Sequence, residues 1–273
     1  MNDADANAPL ASFEAKWTQA VPEFGVALSF LAPPTRAAHG AFACLVHELE
    51  HAAFGIRDAE PATLKLQWWA EEFARAAKGE ARHPLTQAIA TATSFPQVPL
   101  AAWYAAIGGA LAQRDAEPAE NADALFAAYE VLHEPLAQIE AQLFSPLDAT
   151  ALARARSLAR AVRETATLAD ALRDGRLPLP LDLLARHRLA RGELAQASPQ
   201  QAAALREWLG ALRDAGAQLD ASRIGAPAAA TLRADGWRLA KAMRAGDPLT
   251  ALPPLLARIP LRTSFAAWRA RGA

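Results

Sequence analysis

Two imidazoles and two carboxylates fall within one short motif, HELEH at His47–His51. On a helix, residues four positions apart share a face, so both histidines project in the same direction. Two histidines at this spacing can bind zinc while the glutamate after the first acts as general base. Glu71 or Glu72, on the next predicted helix, would supply a third ligand; otherwise both lie solvated or salt-bridged at the surface. The motif therefore admits a zinc hydrolase as one hypothesis.

Apolar residues surround this motif. The stretch Ala41–Gly55, AFACLVHELEHAAFG, resembles the interior of a helical bundle apart from its titratable groups. Burying such groups is costly unless they are paired or bind a ligand. The motif is therefore either a binding site or a pair of core histidines hydrogen-bonded to nearby carboxyls. Zinc proteases usually hold their substrate as an added strand on a sheet edge, and this sequence predicts no sheet, which weighs against a protease.

Helical periodicity runs through the whole chain, and no stretch alternates with the period of a strand. Helices are predicted at about 10–20, 35–54, 62–78, 84–93, 98–114, 120–144, 148–173, 180–188, 199–220, 226–244 and 260–270. The last residues, Pro260–Ala273, carry Arg262, Arg269 and Arg271 and suit a solvated final helix better than a phosphate site. No low-complexity linker separates two halves. We therefore predict one all-α domain over residues 1–273, in which residues 1–10 are flexible.

Composition limits the classes of partner. The formal net charge of the 273-residue chain is −1, so no general affinity for nucleic acid is expected. The single cysteine, Cys44, excludes an internal disulfide framework and fits a reducing, cytoplasmic setting. The longest uncharged run, from Pro84 to Gln113, is divided by Pro96 and Pro99, so we predict no transmembrane segment. Peripheral contact with the inner membrane stays open.

Further stretches carry a series of landmarks in a fixed order. Ser29–Phe42, SFLAPPTRAAHGAF, is similar to a lead-in of the form FLPPxRRxALxALYAF. Leu64–Ile89, LKLQWWAEEFARAAKGEARHPLTQAI, is similar to an LxWWREEL helix followed by a GxxRHP turn. Gly175–Leu189, GRLPLPLDLLARHRL, is similar to GRxYLPxDxLARHGL. These landmarks resemble the squalene/phytoene synthase family, and HELEH falls where that family has its first aspartate-rich motif. The resemblance covers roughly residues 25–95 and 150–190.

This resemblance implies the isoprenoid synthase fold, an all-α helical bundle with a central cavity. Active members join two prenyl diphosphates head to head, and Mg²⁺ bound by two facing aspartate-rich helices holds the diphosphates. Mg²⁺ prefers hard oxygen ligands, which suits paired aspartates. Here His47 and His51 replace the outer aspartates of the first motif, and only Glu48 keeps a carboxylate. Neutral imidazole is a poor ligand for Mg²⁺.

The second aspartate motif can be aligned in two ways. With a short deletion before Gly175, it falls on Asp170 and Asp174; without a gap, it falls on Thr167 and Ala171. The first alignment would leave Asp170 and Asp174 as a surviving Mg²⁺ site, so that the catalytic residues of an active enzyme would be Glu48, Asp170 and Asp174. The substrate-binding candidates are Arg36, His47, His51 and Arg176, of which the two arginines match basic positions of the family.

Three hypotheses follow. The first is a degenerate family member, similar to the branch of the mitochondrial complex I assembly factor. It has lost standard Mg²⁺-dependent prenyl transfer and acts as an isoprenoid- or lipid-binding protein or as an assembly protein with a protein partner, without a cofactor. The second is an active transferase that condenses two prenyl diphosphates with Mg²⁺. The third is the zinc hydrolase. The first hypothesis places His47 and His51 on a cavity wall that faces the helix at residues 163–174.

Overall fold

The computed structural model describes residues 8–144 and 147–271, and within these ranges it contains α-helices, short 3₁₀ turns and one π turn but no strand. The α-helices are α1 Ala8–Ala20, α2 Pro22–Leu28, α3 Pro33–Glu50, α4 Ala59–Ala76, α5 Pro84–Ile89, α6 Leu100–Ala112, α7 Ala122–Phe144, α8 Ala149–Ala166, α9 Leu168–Arg173, α10 Leu181–Arg186, α11 Pro199–Ala217, α12 Gly225–Ala242, α13 Pro248–Leu256 and α14 Arg262–Arg269. The all-α prediction is confirmed. No helix in the described ranges has the length and apolarity needed to span a membrane.

Several helices begin where the sequence supplies a cap. The side chains of Asp148, Ser198 and Asp247 accept hydrogen bonds from backbone N–H groups in the first turns of α8, α11 and α13. Such caps satisfy N–H groups that have no partner within the helix. In α11 and α13, a proline follows directly at the first helical position, where its missing N–H costs nothing.

The structure departs from the predicted helices in several places. Helices α2 and α13 were not predicted, and the helix predicted at 148–173 is broken at Thr167 into α8 and α9. Residues 8–10, within the stretch predicted to be flexible, form the first turn of α1, and residues 1–7 lie outside the described residues. The helix predicted at 35–54 ends as α3 at Glu50, and a π turn continues it over His51–Gly55.

The long helix α7 lies at the centre of the packing, with α6 on one side and α8 on the other. Helix α12 packs against α2, α8, α11, α13 and α14. The largest hydrophobic core includes residues from Leu10 to Leu252, and two smaller clusters lie where α12 packs against α2, α8 and α14. Between α6 and α7 the backbones approach closely, because a Cβ atom added at Gly109 would lie 2.4 Å from the carbonyl oxygen of Val131.

A buried ion network joins early and late parts of the chain. Arg238 on α12 and Glu23 on α2 both have side chains with 0% exposure, and Arg238 Nη2 lies 2.7 Å from Glu23 Oε2. Arg163 on α8 donates to Glu23 at 3.0 Å and to Asp235 at 2.8 Å. Arg238 also donates to Asp235 and to the carbonyl oxygen of Leu256 at the end of α13. The network balances its charges and fixes α2, α8, α12 and α13 relative to one another.

The WWAEE helix and the following turn form one structural unit. Glu72 is fully buried, and its carboxylate accepts hydrogen bonds from the backbone N–H groups of Arg82 and His83 at 2.7 and 2.8 Å and from the hydroxyl of Thr86 at 2.6 Å. It also pairs with Arg75. Burial alone would raise the pKa of Glu72, but these hydrogen bonds lower it to about 2. The surface placement predicted for Glu72 is therefore wrong; the carboxylate fixes the start of α5.

Candidate functional site

A cavity lies between α2, α3, α8 and α12, close to the HELEH motif. It consists of an inner hollow of about 80 Å³ and an outer hollow of about 250 Å³. Five residues line both hollows: Val21, His47, Glu50, Arg160 and Arg163. Apolar side chains from α2, α3, α8 and α12 form much of the inner wall, and they include Val21, Phe24, Ala43, Val46, Ala155, Ala159, Pro227 and Ala228. The inner wall is completed by charged residues, so the cavity combines apolar and charged surface; these residues are Glu50, Glu140, Arg156, Arg160 and Arg163.

Arginines from α8 form the charged part of this wall. Arg156, Arg160 and Arg163 lie at helical positions i, i+4 and i+7, so they share one face of α8. Their side chains are only 13%, 14% and 19% exposed. Arg156 pairs with Glu140, and Arg160 pairs with Glu164. Even so, Arg156 Nη1 and Arg160 Nε are buried without a hydrogen-bond acceptor among the described residues.

A chain of polar contacts leads inward from His47. His47 Nδ1 lies 3.7 Å from Glu50 Oε2, and Glu50 Oε1 lies 3.0 Å from Nε2 of His133. His133 Nδ1 in turn lies 3.0 Å from the hydroxyl of Ser157 on α8. Burial would raise the pKa of Glu50, but the hydrogen bond from His133 and the proximity of the His47 ring hold it well below its usual range. Burial lowers the pKa of His133 despite its carboxylate partner. A neutral His133 that donates from Nε2 and accepts at Nδ1 satisfies all three groups.

His51 lies on the cavity rim, in the π turn that follows α3. Its side chain is exposed and lines the outer hollow with Arg160 and Arg163. A Cβ atom added at Gly55 would lie 2.3 Å from Nδ1 of His51, so the absence of a side chain there leaves room for the ring. Burial lowers the pKa of His51, and the positive charges of Lys65 and Lys16 lower it further. His47 and His51 therefore both reach the cavity wall, where α8 lies opposite.

The other residues of a zinc site are not brought to this wall. Glu48 faces α1 and α4, where its carboxylate lies 2.5 Å from Lys16 Nζ and 2.6 Å from Lys65 Nζ. Of the two proposed third ligands, Glu72 is buried against the RHP turn and Glu71 is exposed beside Arg75. Across residues 8–144 and 147–271, no group of three or more His, Cys, Asp or Glu side chains could hold a metal ion.

The family model described as squalene/phytoene synthase matches residues 18–266. The chain belongs to the squalene/phytoene synthase family. Among solved structures, a dehydrosqualene synthase in complex with ligand is similar with a TM-score of 0.66 and 14% identity over 92% of this chain and 96% of that chain. The squalene synthase HpnC from Alicyclobacillus acidocaldarius has a TM-score of 0.66 and 15% identity over 89% of this chain and 96% of that chain. A comparison with curated proteins finds no match.

These structures confirm the predicted isoprenoid synthase fold for this family member. The candidates for the second aspartate motif lie in different environments. Asp170 is exposed and pairs with Arg173, while Asp174 Oδ1 lies 3.1 Å from Arg57 Nε. Neither aspartate lines the cavity, and neither contacts Glu48. Thr167, the position given by the ungapped alignment, does line the outer hollow, whereas Ala171 is buried in the core.

Neither predicted basic position of this squalene/phytoene synthase family member, Arg36 or Arg176, lines the cavity. Arg176 pairs with Glu164, which also pairs with Arg160, and donates to the carbonyl oxygen of Phe54 at 3.3 Å. Arg36 is exposed near the start of α3 and does not line the cavity. Sequence reasoning did not identify the arginine face of α8. Its i, i+4, i+7 spacing was a visible signal, but that spacing alone does not say which face is buried.

Proposed function

We propose that this family member binds an isoprenoid or similar lipid with an anionic head group in the cavity between α3 and α8, and does not perform Mg²⁺-dependent prenyl transfer. The buried N–H groups of Arg156 and Arg160 that lack an acceptor among the described residues carry the proposal. A buried donor without an acceptor costs about 1–3 kcal/mol. A phosphate or carboxylate oxygen in the cavity would satisfy such donors, and guanidinium groups are well matched to both anions.

The side chains around the cavity do not fit Mg²⁺. Members of the family characteristically hold diphosphates through this ion, which prefers several carboxylate and water oxygens. Here the carboxylates near the cavity already have partners: Glu50 accepts from His133, Glu140 pairs with Arg156, and Glu23 pairs with Arg163 and Arg238. Each of the three arginines that line the cavity is paired with a glutamate, so an anion would be attracted by the Arg156 and Arg160 N–H groups that lack an acceptor among the described residues and not by a net positive charge.

The size of the cavity supports a single small ligand. Sites for small molecules typically have volumes of about 300–1,000 Å³. Both hollows are smaller than this range, with volumes of about 250 Å³ for the outer and about 80 Å³ for the inner. One prenyl or acyl chain fits this space better than two prenyl diphosphates placed side by side for condensation. Binding without turnover is what a lipid-binding or assembly role requires.

The test is binding of farnesyl diphosphate by calorimetry, with EDTA and then with Mg²⁺, alongside analysis of products from labelled substrate. We expect similar affinity in both buffers and no condensed product. Arg160→Gln removes a charged donor and should weaken binding by about tenfold or more, because hydrogen bonds to charged groups contribute about 1.5–3 kcal/mol. Arg154→Gln is the matched control on the same helix, because Arg154 pairs with Glu130 and does not line the cavity.

Each outcome has a clear meaning. Mg²⁺-dependent formation of a head-to-head product would overturn the proposal in favour of an active prenyltransferase. Equal loss of affinity in the Arg160→Gln and Arg154→Gln variants would show that the cavity is not where the diphosphate binds. Thermal unfolding of both variants separates a local loss of contacts from a loss of folded protein.

A further inference from the structure

The last helix exposes a stripe of large apolar side chains. Leu261, Phe265 and Trp268 are 93%, 59% and 44% exposed. They lie at positions i, i+4 and i+7, so they share one face of α14 and its N-cap. The opposite face is the one that packs on the protein, because Thr263, Ala267 and Ala270 are 0%, 0% and 1% exposed. The stripe therefore points directly away from the body of the protein.

Positive charge surrounds this stripe. The sequence from Pro248 to Ala273 contains four arginines and no aspartate or glutamate, although the whole chain has a formal net charge of −1. At about 100° per residue, Arg262 and Arg269 flank the stripe on one side of α14 and Arg271 lies on the other. Within the described ranges, none of these three arginines forms a salt bridge, and the Arg271 guanidinium lies 5.0 Å from the ring of Trp268.

A surface hollow beside the stripe gathers further positive charge. It has a volume of about 510 Å³, and its lining includes Arg233, Arg262, Arg269 and Phe265. Asp220 also lines it, but that carboxylate already accepts hydrogen bonds from the backbone N–H and hydroxyl of Ser222. The hollow therefore offers guanidinium groups next to exposed aromatic rings, which is the arrangement an anionic lipid head group requires.

We propose that α14, together with Ile259 and Leu261 before it, docks on an anionic lipid bilayer. The helix lies in the plane of the interface, with the Leu261–Phe265–Trp268 stripe among the upper acyl chains and the arginines at the level of the phosphates. A second copy of the chain is a poorer occupant, because a two-fold interface places the same arginines against one another. The solvated final helix predicted from the sequence accounts for the arginines but not for the stripe.

The test is flotation of the full chain with lipid vesicles of neutral phosphatidylcholine, and with vesicles in which about a third of the lipid is phosphatidylglycerol. We expect binding to the anionic vesicles that weakens as salt is added. Phe265→Ala with Trp268→Ala should lower the partition coefficient by about tenfold or more, because it removes the inserted apolar surface. Arg262→Gln with Arg269→Gln should also lower it by at least about tenfold.

Matched controls exist elsewhere on the surface. Leu64 and Trp68 on α4 are 58% and 41% exposed and also lie four positions apart, but Glu60 and Glu71 are on the same helix. Leu64→Ala with Trp68→Ala should therefore leave vesicle binding unchanged. Arg82→Gln with Arg244→Gln, at two exposed positions outside α14, should also leave it unchanged. Circular dichroism checks that every variant keeps its helices.

Three results would overturn the proposal: no binding to anionic vesicles, equal binding to neutral vesicles, or equal losses in the control variants. Sedimentation of the free protein tests whether a second copy of the chain occupies the stripe. If the chain is a dimer that Phe265→Ala with Trp268→Ala dissociates, and vesicles bind neither form, the stripe is an interface between copies instead. Vesicle binding is measured without farnesyl diphosphate, so failure here leaves the proposed cavity function untouched.

Discussion

Adjacent glutamates on α4 have opposite environments and should respond differently to truncation. Glu72→Ala leaves the buried N–H groups of Arg82 and His83 and the hydroxyl of Thr86 without an acceptor. We expect a loss of about 3 kcal/mol or more in the free energy of unfolding, measured with urea. Glu71→Ala is the control and should change stability by less than about 0.5 kcal/mol, because this exposed carboxylate pairs only with Arg75. Similar losses in both variants would contradict the capping role of Glu72.

The same carboxylate should make stability depend on pH. Its pKa falls from an ordinary 4.5 to about 2 in the folded protein, so the unfolded chain binds the proton more readily in this range. The contribution is fully present above about pH 5 and is lost as the pH falls towards 2, with about 2 kcal/mol lost by pH 3. In the Glu72→Gln variant, the free energy of unfolding measured with urea should fall by about 2 kcal/mol less between pH 5 and pH 3 than in the unmodified protein. An unchanged pH profile would mean that Glu72 does not carry the charge.

At the residue scale, the sequence predicted the histidines of the candidate site but not the residues opposite them. The HELEH spacing correctly indicated that His47 and His51 project in the same direction, and both reach the cavity wall. It did not reveal that Glu50 bonds to His133, 83 residues away, or that Glu48 is held by two lysines. Periodicity states which residues share a face of one helix. It cannot state which side chain on another helix meets that face.

At the scale of elements, two neighbouring glycines on α6 provide a matched pair. A Cβ atom at Gly109 would meet the backbone of α7, 2.4 Å from Val131 O and 2.8 Å from Leu132 Cα, whereas one at Gly108 would meet nothing within 4 Å. Gly109→Ala should therefore force α6 away from α7 and lower stability by about 2 kcal/mol or more. Gly108→Ala should raise stability by up to about 1 kcal/mol through helix propensity. Urea unfolding measures both, and equal effects would refute the close approach.

The helices missed from the sequence have physical reasons. Helix α2 has only seven residues, too few for periodicity to be visible, and α13 contains Pro253 and Pro254, which normally argue against a helix. The break at Thr167 falls inside an apolar pattern that continues through both α8 and α9. The longer helices were predicted because their apolar residues recur with helical periodicity over several turns. Prolines or glycines mark their ends. The family landmarks then supplied the fold, which helix patterning alone would have left open.

At the scale of the whole molecule, we predict that the chain unfolds as one unit. The buried pair Glu23–Arg238 joins residues 215 positions apart, and the main core includes residues from most helices. Far-ultraviolet circular dichroism and tryptophan fluorescence should therefore give coincident urea transitions.

Arg238→Ala should shift both transitions together and lower the free energy of unfolding by about 3–5 kcal/mol, because it leaves Glu23 buried and short of a partner. Arg233→Ala, at an exposed position of the same helix, is the control. Separate transitions would indicate two independent units.

The paired charges on α8 constrain how this sequence can change over generations. Each arginine on the cavity face pairs with a carboxylate: Arg156 with one on α7, Arg160 with Glu164 on α8 itself, and Arg163 with ones on α2 and α12. Replacing any one of them with an acidic residue strands a buried partner, at about 3–5 kcal/mol out of the 5–15 kcal/mol that typically separates folded from unfolded protein. An acidic, metal-binding wall can therefore be reached only by exchanging both members of a pair together. Evolution by single substitutions therefore keeps the arginines, and a return to an acidic wall is disfavoured.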